Sequence, residues 1–305
     1  MLYTLIQMFV LIGLGLAWSW FTPGRIDSAV VRKVLTDIVY FLFLPALVFN
    51  VLWKADLGLD SVKIAFAAIS GVLAALFVSW LICSRCHKTN PKVTGAILLA
   101  ASFPNATYLG YPVLTKTLGN WAGPIAIQYD MFACTPLLLT VGILMSAHFG
   151  GTGKNPNPLM MLIKVPPLWA AIIATGLNLA GVAPISLFTD LFAMMGSSVI
   201  PIMLFAIGLA LKQGINEIKH LPTVIPVIAV QLFIMPVVVL GSTYLLNIEG
   251  GLRTAVVLEA AMPSMALGVV LCDRYGLNTG IYAAAVTATT FLSLATLPLW
   301  YGWLV

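Results

Sequence analysis

Residues 98–112 read LLAASFPNATYLGYP, and residues 254–268 read TAVVLEAAMPSMALG. Each stretch is an apolar run interrupted by a proline and a small polar residue, Pro104-Asn105 in the first and Pro263-Ser264 in the second. Proline removes a backbone donor and disfavours helical geometry in the preceding residue, whereas Asn and Ser are good N-cap residues. We therefore predict two broken helices, each with a new half-helix that begins just after the break. The alternative is that each proline only kinks a continuous helix.

The composition places these stretches in a membrane protein. Hydrophobic residues make up 61% of the 305 residues and charged residues 8%, with a mean hydropathy of +1.03, which is too apolar for a domain with a polar shell. At roughly 20 apolar residues per span, the chain has room for about ten spans but not for a separate soluble domain. We predict an all-α membrane protein with ten transmembrane helices, at 2–21, 34–53, 62–83, 93–117, 121–148, 165–182, 191–211, 222–246, 252–272 and 278–304.

Lysine and arginine are distributed unevenly over the predicted loops. Eleven of the 15 lie in the loops after spans 1, 3, 5, 7 and 9, and four lie in the alternate loops. Because cytoplasmic loops carry the excess of cations, we expect both termini on the outer, periplasmic side of the cell inner membrane. The net charge of +5 is spread over short loops without a basic stripe, so we expect no nucleic-acid partner. The expected partners are the lipid bilayer and a small molecule.

The chain divides near its middle into two similar halves. We predict a first five-helix repeat at 1–149, a cytoplasmic linker at 150–163 and a second five-helix repeat at 164–305. Residues 94–105 and 254–264 each begin with Thr, carry an Ala-Ala pair and end on the proline break, in an alignment that needs a one-residue gap. Five helices per half make the two repeats antiparallel in the membrane, and paired breaks in inverted repeats indicate a transporter site.

Two carboxylic acids fall inside predicted spans. Asp130 lies midway along span 5, and Glu259 lies in span 9, four residues before Pro263. Each is costly in contact with lipid, so both side chains are expected to face the protein interior. They are either proton or cation sites or protonated carboxyl groups that are hydrogen-bonded to neighbouring backbone.

The sequence contains no motif that indicates an enzyme or a metal centre. The Cys83-Ser84-Arg85-Cys86-His87 segment fits the C-x-x-C-H pattern of haem attachment, but it falls at a span end where no soluble haem pocket can form. The chain contains no G-x-S-x-G, H-E-x-x-H or Walker A motif. We expect no enzyme activity, no catalytic residues, no cofactor and no metal apart from a cation at the interior carboxylates.

These features and their positions along the chain resemble those of a known family. The ten-helix plan, the segment at 102–113 and the segment at 259–264 resemble the auxin efflux carrier family in its bacterial form, within the bile acid/sodium symporter-like superfamily. The resemblance implies a sodium/proton antiporter-like fold in which spans 1, 2, 6 and 7 form a scaffold. Spans 3–5 and 8–10 would form an elevator-type transport domain, with spans 4 and 9 crossing. The scaffold spans could also form a homodimer.

The breaks and the resemblance together predict a function. We expect a cation-coupled secondary active transporter of a small organic anion, with the carboxylate held at the half-helix N-termini where spans 4 and 9 cross. The predicted substrate-binding residues are Pro104, Asn105, Thr107, Gln128, Pro263, Ser264 and Met265. The predicted coupling-ion residues are Glu259, Asp130 and Asn105, and the ion is either sodium or a proton. The alternatives are a sodium-coupled symporter of a bile-acid-like amphipath and a non-transporting membrane ligand sensor.

Overall fold

The computed structural model describes residues 1–22, 24, 26–86, 90–151, 153, 156–217 and 220–305. All regular structure in these residues is helical. The helices are α1 (Leu2–Phe21), α2 (Ser28–Trp53), α3 (Leu59–Cys86), α4 (Pro91–Ser102), α5 (106–117), α6 (Asn120–Gly150), α7 (Pro158–Ile163), α8 (Pro166–Leu179), α9 (Ser186–Asn216), α10 (Leu221–Leu245), α11 (Gly250–Ala260), α12 (Gly268–Tyr275) and α13 (Thr279–Leu304).

Seven of the described helices are long and apolar enough to cross a membrane, namely α1, α2, α3, α6, α9, α10 and α13. Their outward faces carry apolar side chains, as in the stripe of α1 formed by Leu2, Ile6, Val10 and Leu14, each about half exposed. Such a continuous exposed apolar surface indicates contact with lipid rather than with water. The finding agrees with the prediction of an all-α, multi-pass membrane protein.

Predicted spans 4 and 9 are both interrupted. The run at 93–117 is divided between α4 and α5, and the run at 252–272 is divided between α11 and α12. The breaks lie where the prolines predicted them, so the alternative of two continuous, merely kinked helices is wrong. Predicted span 6 contains a regular helix of only 14 residues, Pro166–Leu179.

Five turns of π-helix occur in the described residues, and four of them are tied to prolines. The turns are Val39–Phe43, Ala106–Gly110, Asp130–Cys134, Leu138–Gly142 and Val230–Ile234. All but the fourth end two residues before a proline, namely Pro45, Pro112, Pro136 and Pro236. The proline ring clashes with the carbonyl four residues earlier, and a wider turn relieves that clash. Accordingly, the residue before the proline donates its N–H to the carbonyl five residues back, as Leu44 does to Val39.

Glycines allow α1 and α9 to pack backbone to backbone. A Cβ atom on Gly15 would overlap the Phe205 carbonyl, and a Cβ atom on Gly208 would overlap the Ile12 carbonyl. This close approach of small residues is a common way for helices to associate within lipid, where the hydrophobic effect supplies no attraction between them.

A side-chain cap joins α2 to α8. The Asn178 amide donates to the carbonyls of Trp53 and Ala55 at 2.9 and 2.8 Å, which satisfies the C-terminal end of α2. Asn178 is therefore a structural residue between two helices. These packing interfaces leave the crossing of the two broken helices at the centre of the molecule.

Candidate functional site

The two breaks meet directly as a short piece of antiparallel backbone. Pro104 pairs with Ser264 in an isolated bridge. The Asn105 N–H donates to the Pro263 carbonyl at 2.8 Å, and the Met265 N–H donates to the Phe103 carbonyl at 3.0 Å. In this arrangement the N–H of the paired residue points away from the partner segment, so the missing N–H of Pro104 costs no bond within the pair.

Ser264 is a structural part of this crossing. Its hydroxyl donates to the Ala100 carbonyl at 2.6 Å, and its N–H donates to the Thr289 hydroxyl at 3.2 Å. The prediction that Ser264 caps the second half-helix is wrong, because α12 begins only at Gly268 and its N-cap residue is Leu267. The hydroxyl instead satisfies a carbonyl that is left open at the C-terminal end of α4.

Asn105 occupies the N-cap position of α5, as its position after Pro104 predicted. Its carbonyl accepts the N–H groups of Leu109 and Gly110 at 3.2 and 3.1 Å. Its side chain makes no capping hydrogen bond to α5. The carboxamide is thus directed elsewhere, and Asn105 is one of the residues that line a cavity beside the crossing.

This cavity has a volume of about 420 Å³ and reaches the crossing from one side. Five of the predicted site residues line it, namely Pro104, Asn105, Thr107, Asp130 and Met265. Four other predicted site residues, Gln128, Glu259, Pro263 and Ser264, are not among its lining residues. The structure therefore divides the predicted site into a group that lines the cavity and a group that is buried away from it.

Two cations that the sequence analysis treated only as orientation signals also line the cavity. Lys164 precedes α8, and Arg274 lies in the last turn of α12. A second carboxylate besides Asp130, Asp37 of α2, also lies on the wall, together with the aromatic side chains of Tyr40 and Phe41. Both cations fall in predicted loops of the sequence, but only the fold shows that their side chains border the cavity.

Asp130 is held by two hydroxyl groups. Thr107 donates to one carboxylate oxygen, and Thr135 donates to the other at 2.8 Å. Thr107 lies in the first turn of α5, and Asp130 begins a π-helical turn of α6. The bond therefore ties the start of the half-helix to the neighbouring helix. Both oxygens of this buried side chain therefore have a hydrogen-bond donor, in contrast to those of Glu259.

Glu259 is in a different environment on the other side of the crossing. Its side chain is completely buried, and neither carboxylate oxygen has a hydrogen-bond partner. The carboxylate packs against Gly110, where an added Cβ atom would overlap both oxygens. A buried carboxylate without donors is unfavourable as a free anion, so this group requires a proton or a cation. The Oε1 atom of Gln128 is likewise buried without a partner.

Gln231 was not predicted as part of the site, although its side chain bonds to the backbone at the second break. Its amide donates to the carbonyls of Met262 and Ala260 at 3.0 and 3.4 Å. Gln231 lies in the π-helical turn that precedes Pro236. Pro236 was therefore the sequence feature that could have drawn attention to this part of α10. Tyr282 similarly donates its hydroxyl to the Met265 carbonyl at 2.8 Å.

A second cavity, of about 460 Å³, lies beside the first near the start of α12. Asp37, Ala266, Leu267 and Val270 border both cavities, so open space adjoins this half-helix and the segment before it. Neither cavity contains a metal-binding cluster, since no group of three His, Cys, Asp or Glu side chains converges within the described ranges. His87, from the haem-like motif, lies outside the described residues.

Comparison with known proteins places the chain among transporters. It matches the family described as membrane transport protein at residues 1–159 and 152–301. It is 28% identical to an uncharacterised transporter of Methanothermobacter thermautotrophicus over 91% of this chain and 89% of that protein. It is 22% identical to the uncharacterised transporter YfdV of Escherichia coli over 88% of this chain and 87% of that protein. A putative malonate transporter of Rhizobium meliloti is 26% identical over 86% and 83% of the two chains.

The family match covers both breaks and nearly the whole chain. It agrees with the likeness to auxin efflux carriers that the two proline-containing segments indicated. The relatives named above are all named as transporters. The chain is a member of the membrane transport protein family, the family of the auxin efflux carriers.

Proposed function

We propose that this protein is a secondary active transporter of a small organic anion, with the carboxylate bound in the 420 Å³ cavity beside the crossing. The observation that carries the proposal is the meeting of Lys164, Arg274 and Asn105 on the wall of one cavity. Cations and a carboxamide supply donors, and a cavity of this volume suits a small molecule.

The part of the cavity wall beside the N-terminal end of α5 is suited to a carboxylate. The first N–H groups of α5 have no acceptor within the helix, and they carry the positive end of its dipole. Asn105 and Thr107 stand at this end. We propose Pro104, Asn105, Thr107 and Met265 as substrate contacts, with Gln128, Pro263 and Ser264 as buried supporting residues that do not line the cavity.

The carboxylates of the site suggest the coupling step. Asp37 and Asp130 line the cavity as well, so an anion enters a site that already contains negative charge. Binding a cation or a proton at Glu259 and Asp130, next to Asn105, would lower that repulsion. We therefore propose cation coupling, with either sodium or a proton as the coupling ion.

The proposed membrane arrangement follows the predicted topology. Counting each broken helix as one span and adding α8 to the seven long helices gives ten spans. These form the two inverted five-helix repeats, with the domain boundaries predicted above, both termini outside the inner membrane, and a scaffold available for dimerisation. The two neighbouring cavities beside the start of α12 leave space that supports an elevator-like movement of the transport domain.

Uptake into proteoliposomes tests this function. Because one relative is named a putative malonate transporter, radiolabelled malonate is the first substrate, driven by an inward sodium or proton gradient. Replacing Lys164 or Arg274 by Gln should raise KM about tenfold, since a hydrogen bond between charged groups contributes about 1.5–3 kcal/mol. The matched control is Lys54→Gln, which removes a charge from an exposed position outside the cavity.

The proposal also predicts that Glu259→Gln abolishes the gradient dependence of uptake. Unlabelled malate, acetate and taurocholate are added as competitors, and competition by taurocholate alone would favour the bile-acid-like alternative. Binding without counterflow would favour a ligand sensor. If no organic anion binds or is taken up under either gradient, the proposed function is wrong.

A further inference from the structure

We propose that the π-helical turn Ala106–Gly110 is the coupling element of this transporter, because it connects the buried Glu259 carboxylate to Asn105 in the substrate cavity. This inference rests on the proposed function, and it names the segment and the residue, Gly110, through which the two sites communicate.

The turn contacts the Glu259 carboxylate at one end and the substrate cavity at the other. At its end, Gly110 packs against the Glu259 carboxylate so closely that only the absence of a Cβ atom leaves room for the two oxygens. At its beginning, Thr107 is bonded to Asp130 and lines the cavity next to Asn105. Glu259 itself is completely buried and does not line the cavity. A bound substrate therefore cannot touch the Glu259 carboxylate directly.

The contacts around the turn form a closed ring. The Gly110 N–H donates to the Asn105 carbonyl at 3.1 Å, and the Asn105 N–H donates to the Pro263 carbonyl at 2.8 Å. Pro263 follows closely on Glu259, which lies in the last turn of α11 and whose own carbonyl accepts the Met262 N–H at 3.2 Å. A movement of the Glu259 carboxylate against Gly110 is thus passed through one hydrogen bond to Asn105, the residue that carries the proposed substrate-binding carboxamide.

The chemistry of Glu259 makes such a movement expected. Without a cation or proton, a buried carboxylate with two unpartnered oxygens is stabilised only by new hydrogen-bond donors, and the carboxylate already packs against Gly110 of the Ala106–Gly110 turn. With a cation or proton bound, this demand disappears and the turn can hold Asn105 toward the cavity. π-Helical turns are rare and are concentrated at functional sites, where their wide geometry permits such adjustment.

Gly110→Ala tests the inference directly. The full-length protein is purified in detergent, and malonate affinity is measured with and without sodium at two pH values. The wild type should bind malonate about tenfold or more tightly in the presence of its coupling cation, a typical magnitude for coupling between two sites. In Gly110→Ala the methyl group displaces the Glu259 carboxylate, so the affinity should become independent of the cation. Gly241→Ala is the matched control, because a Cβ atom there meets open space.

A double substitution keeps the test decisive if Gly110→Ala folds poorly. Glu259→Ala removes the side chain that a methyl group on residue 110 would meet. Adding Gly110→Ala to Glu259→Ala should therefore change neither the melting temperature nor the malonate affinity. Strict additivity of the two substitutions would overturn the inference, as would unchanged cation dependence in Gly110→Ala or an absence of cation dependence in the wild type.

The two hypotheses fail in different ways. If the wild type binds malonate in a cation-dependent manner and Gly110→Ala does the same, the inference about the turn is wrong and the proposed function stands. If the wild type binds and transports none of the tested anions, the proposed function is wrong, and the coupling inference is overturned with it.

Discussion

The two breaks meet in one backbone bridge, yet they are built differently. The first break occupies residues 103–105, and α5 begins at once with a π-helical turn. The second occupies residues 261–267, and α12 begins only after it. The first contributes Pro104 and Asn105 to the cavity wall. The second contributes only the apolar residues Met265, Ala266 and Leu267, whereas its residues 261–264 do not line the cavity and side chains of other helices hold its backbone.

This difference gives the two breaks separate roles: the first is placed to bind the substrate and the second to support the first. Gln231 of α10 and two residues of α13, Thr289 and Tyr282, bond to backbone groups of the second break. The first break is held by backbone hydrogen bonds to the second break, and the Ser264 hydroxyl bonds to Ala100 in the last turn of α4 just before it. A fixed segment thus supports a segment that presents polar groups to the cavity. Substitutions in the first break should change transport, whereas substitutions around the second should change stability.

The largest effect is expected from Asn105→Asp. The replacement has the same size but places a negative charge on the cavity wall, where like charges repel a carboxylate substrate by several kcal/mol. Malonate uptake should fall at least about 100-fold in kcat/KM, while the melting temperature changes little. The control is Asn120→Asp, which adds the same charge at an exposed residue outside the cavity. Uptake at the wild-type rate would show that Asn105 does not face the substrate.

An intermediate effect, on stability, is expected from Gln231→Leu. The substitution removes the donors to the Met262 and Ala260 carbonyls, and leaving buried carbonyls unsatisfied costs about 1–3 kcal/mol. Thermal unfolding in detergent should show a lower melting temperature. Gln7→Leu, on the exposed face of α1, should leave it nearly unchanged. Equal melting temperatures for both variants would contradict the supporting role of Gln231.

The smallest effect is expected from Ser264→Ala. It removes the hydrogen bond to the Ala100 carbonyl, which contributes about 1 kcal/mol to stability. Because the hydroxyl faces α4 rather than the cavity, malonate uptake should continue with an unchanged KM. Ser84→Ala, which removes an exposed hydrogen bond to Leu81, is the control. A loss of uptake with unchanged stability would place Ser264 in the substrate site instead.

Much of the fold could be predicted, because each prediction rested on a local physical rule. Proline in an apolar run predicts a break, and both breaks lie where Pro104 and Pro263 indicated. The predicted alignment of the halves needed a one-residue gap to match these prolines. In the structure Pro104 pairs with Ser264, which is the ungapped register that also matches Thr94 with Thr254. The two prolines are therefore offset by one residue across the bridge.

The π-helical turns were missed although their signal is local. In four cases the turn ends two residues before a proline, at Pro45, Pro112, Pro136 and Pro236. The steric conflict between the ring and the preceding turn can be inferred from one residue. Its result, a widened turn rather than a kink, depends on what the neighbouring helices allow, and a single sequence does not contain that information.

The sequence by itself determined that the chain is an all-helical membrane protein with two broken helices, because hydropathy and proline act on the backbone locally. It also identified Asn105, Asp130 and Glu259 as interior polar groups, because lipid excludes them. Only the tertiary structure decided which of them share a cavity. Lys164 and Arg274 reach the wall that Asn105 lines, whereas Glu259 lies behind it against Gly110. Contacts between residues far apart in the chain depend on packing, and packing is a property of the whole fold.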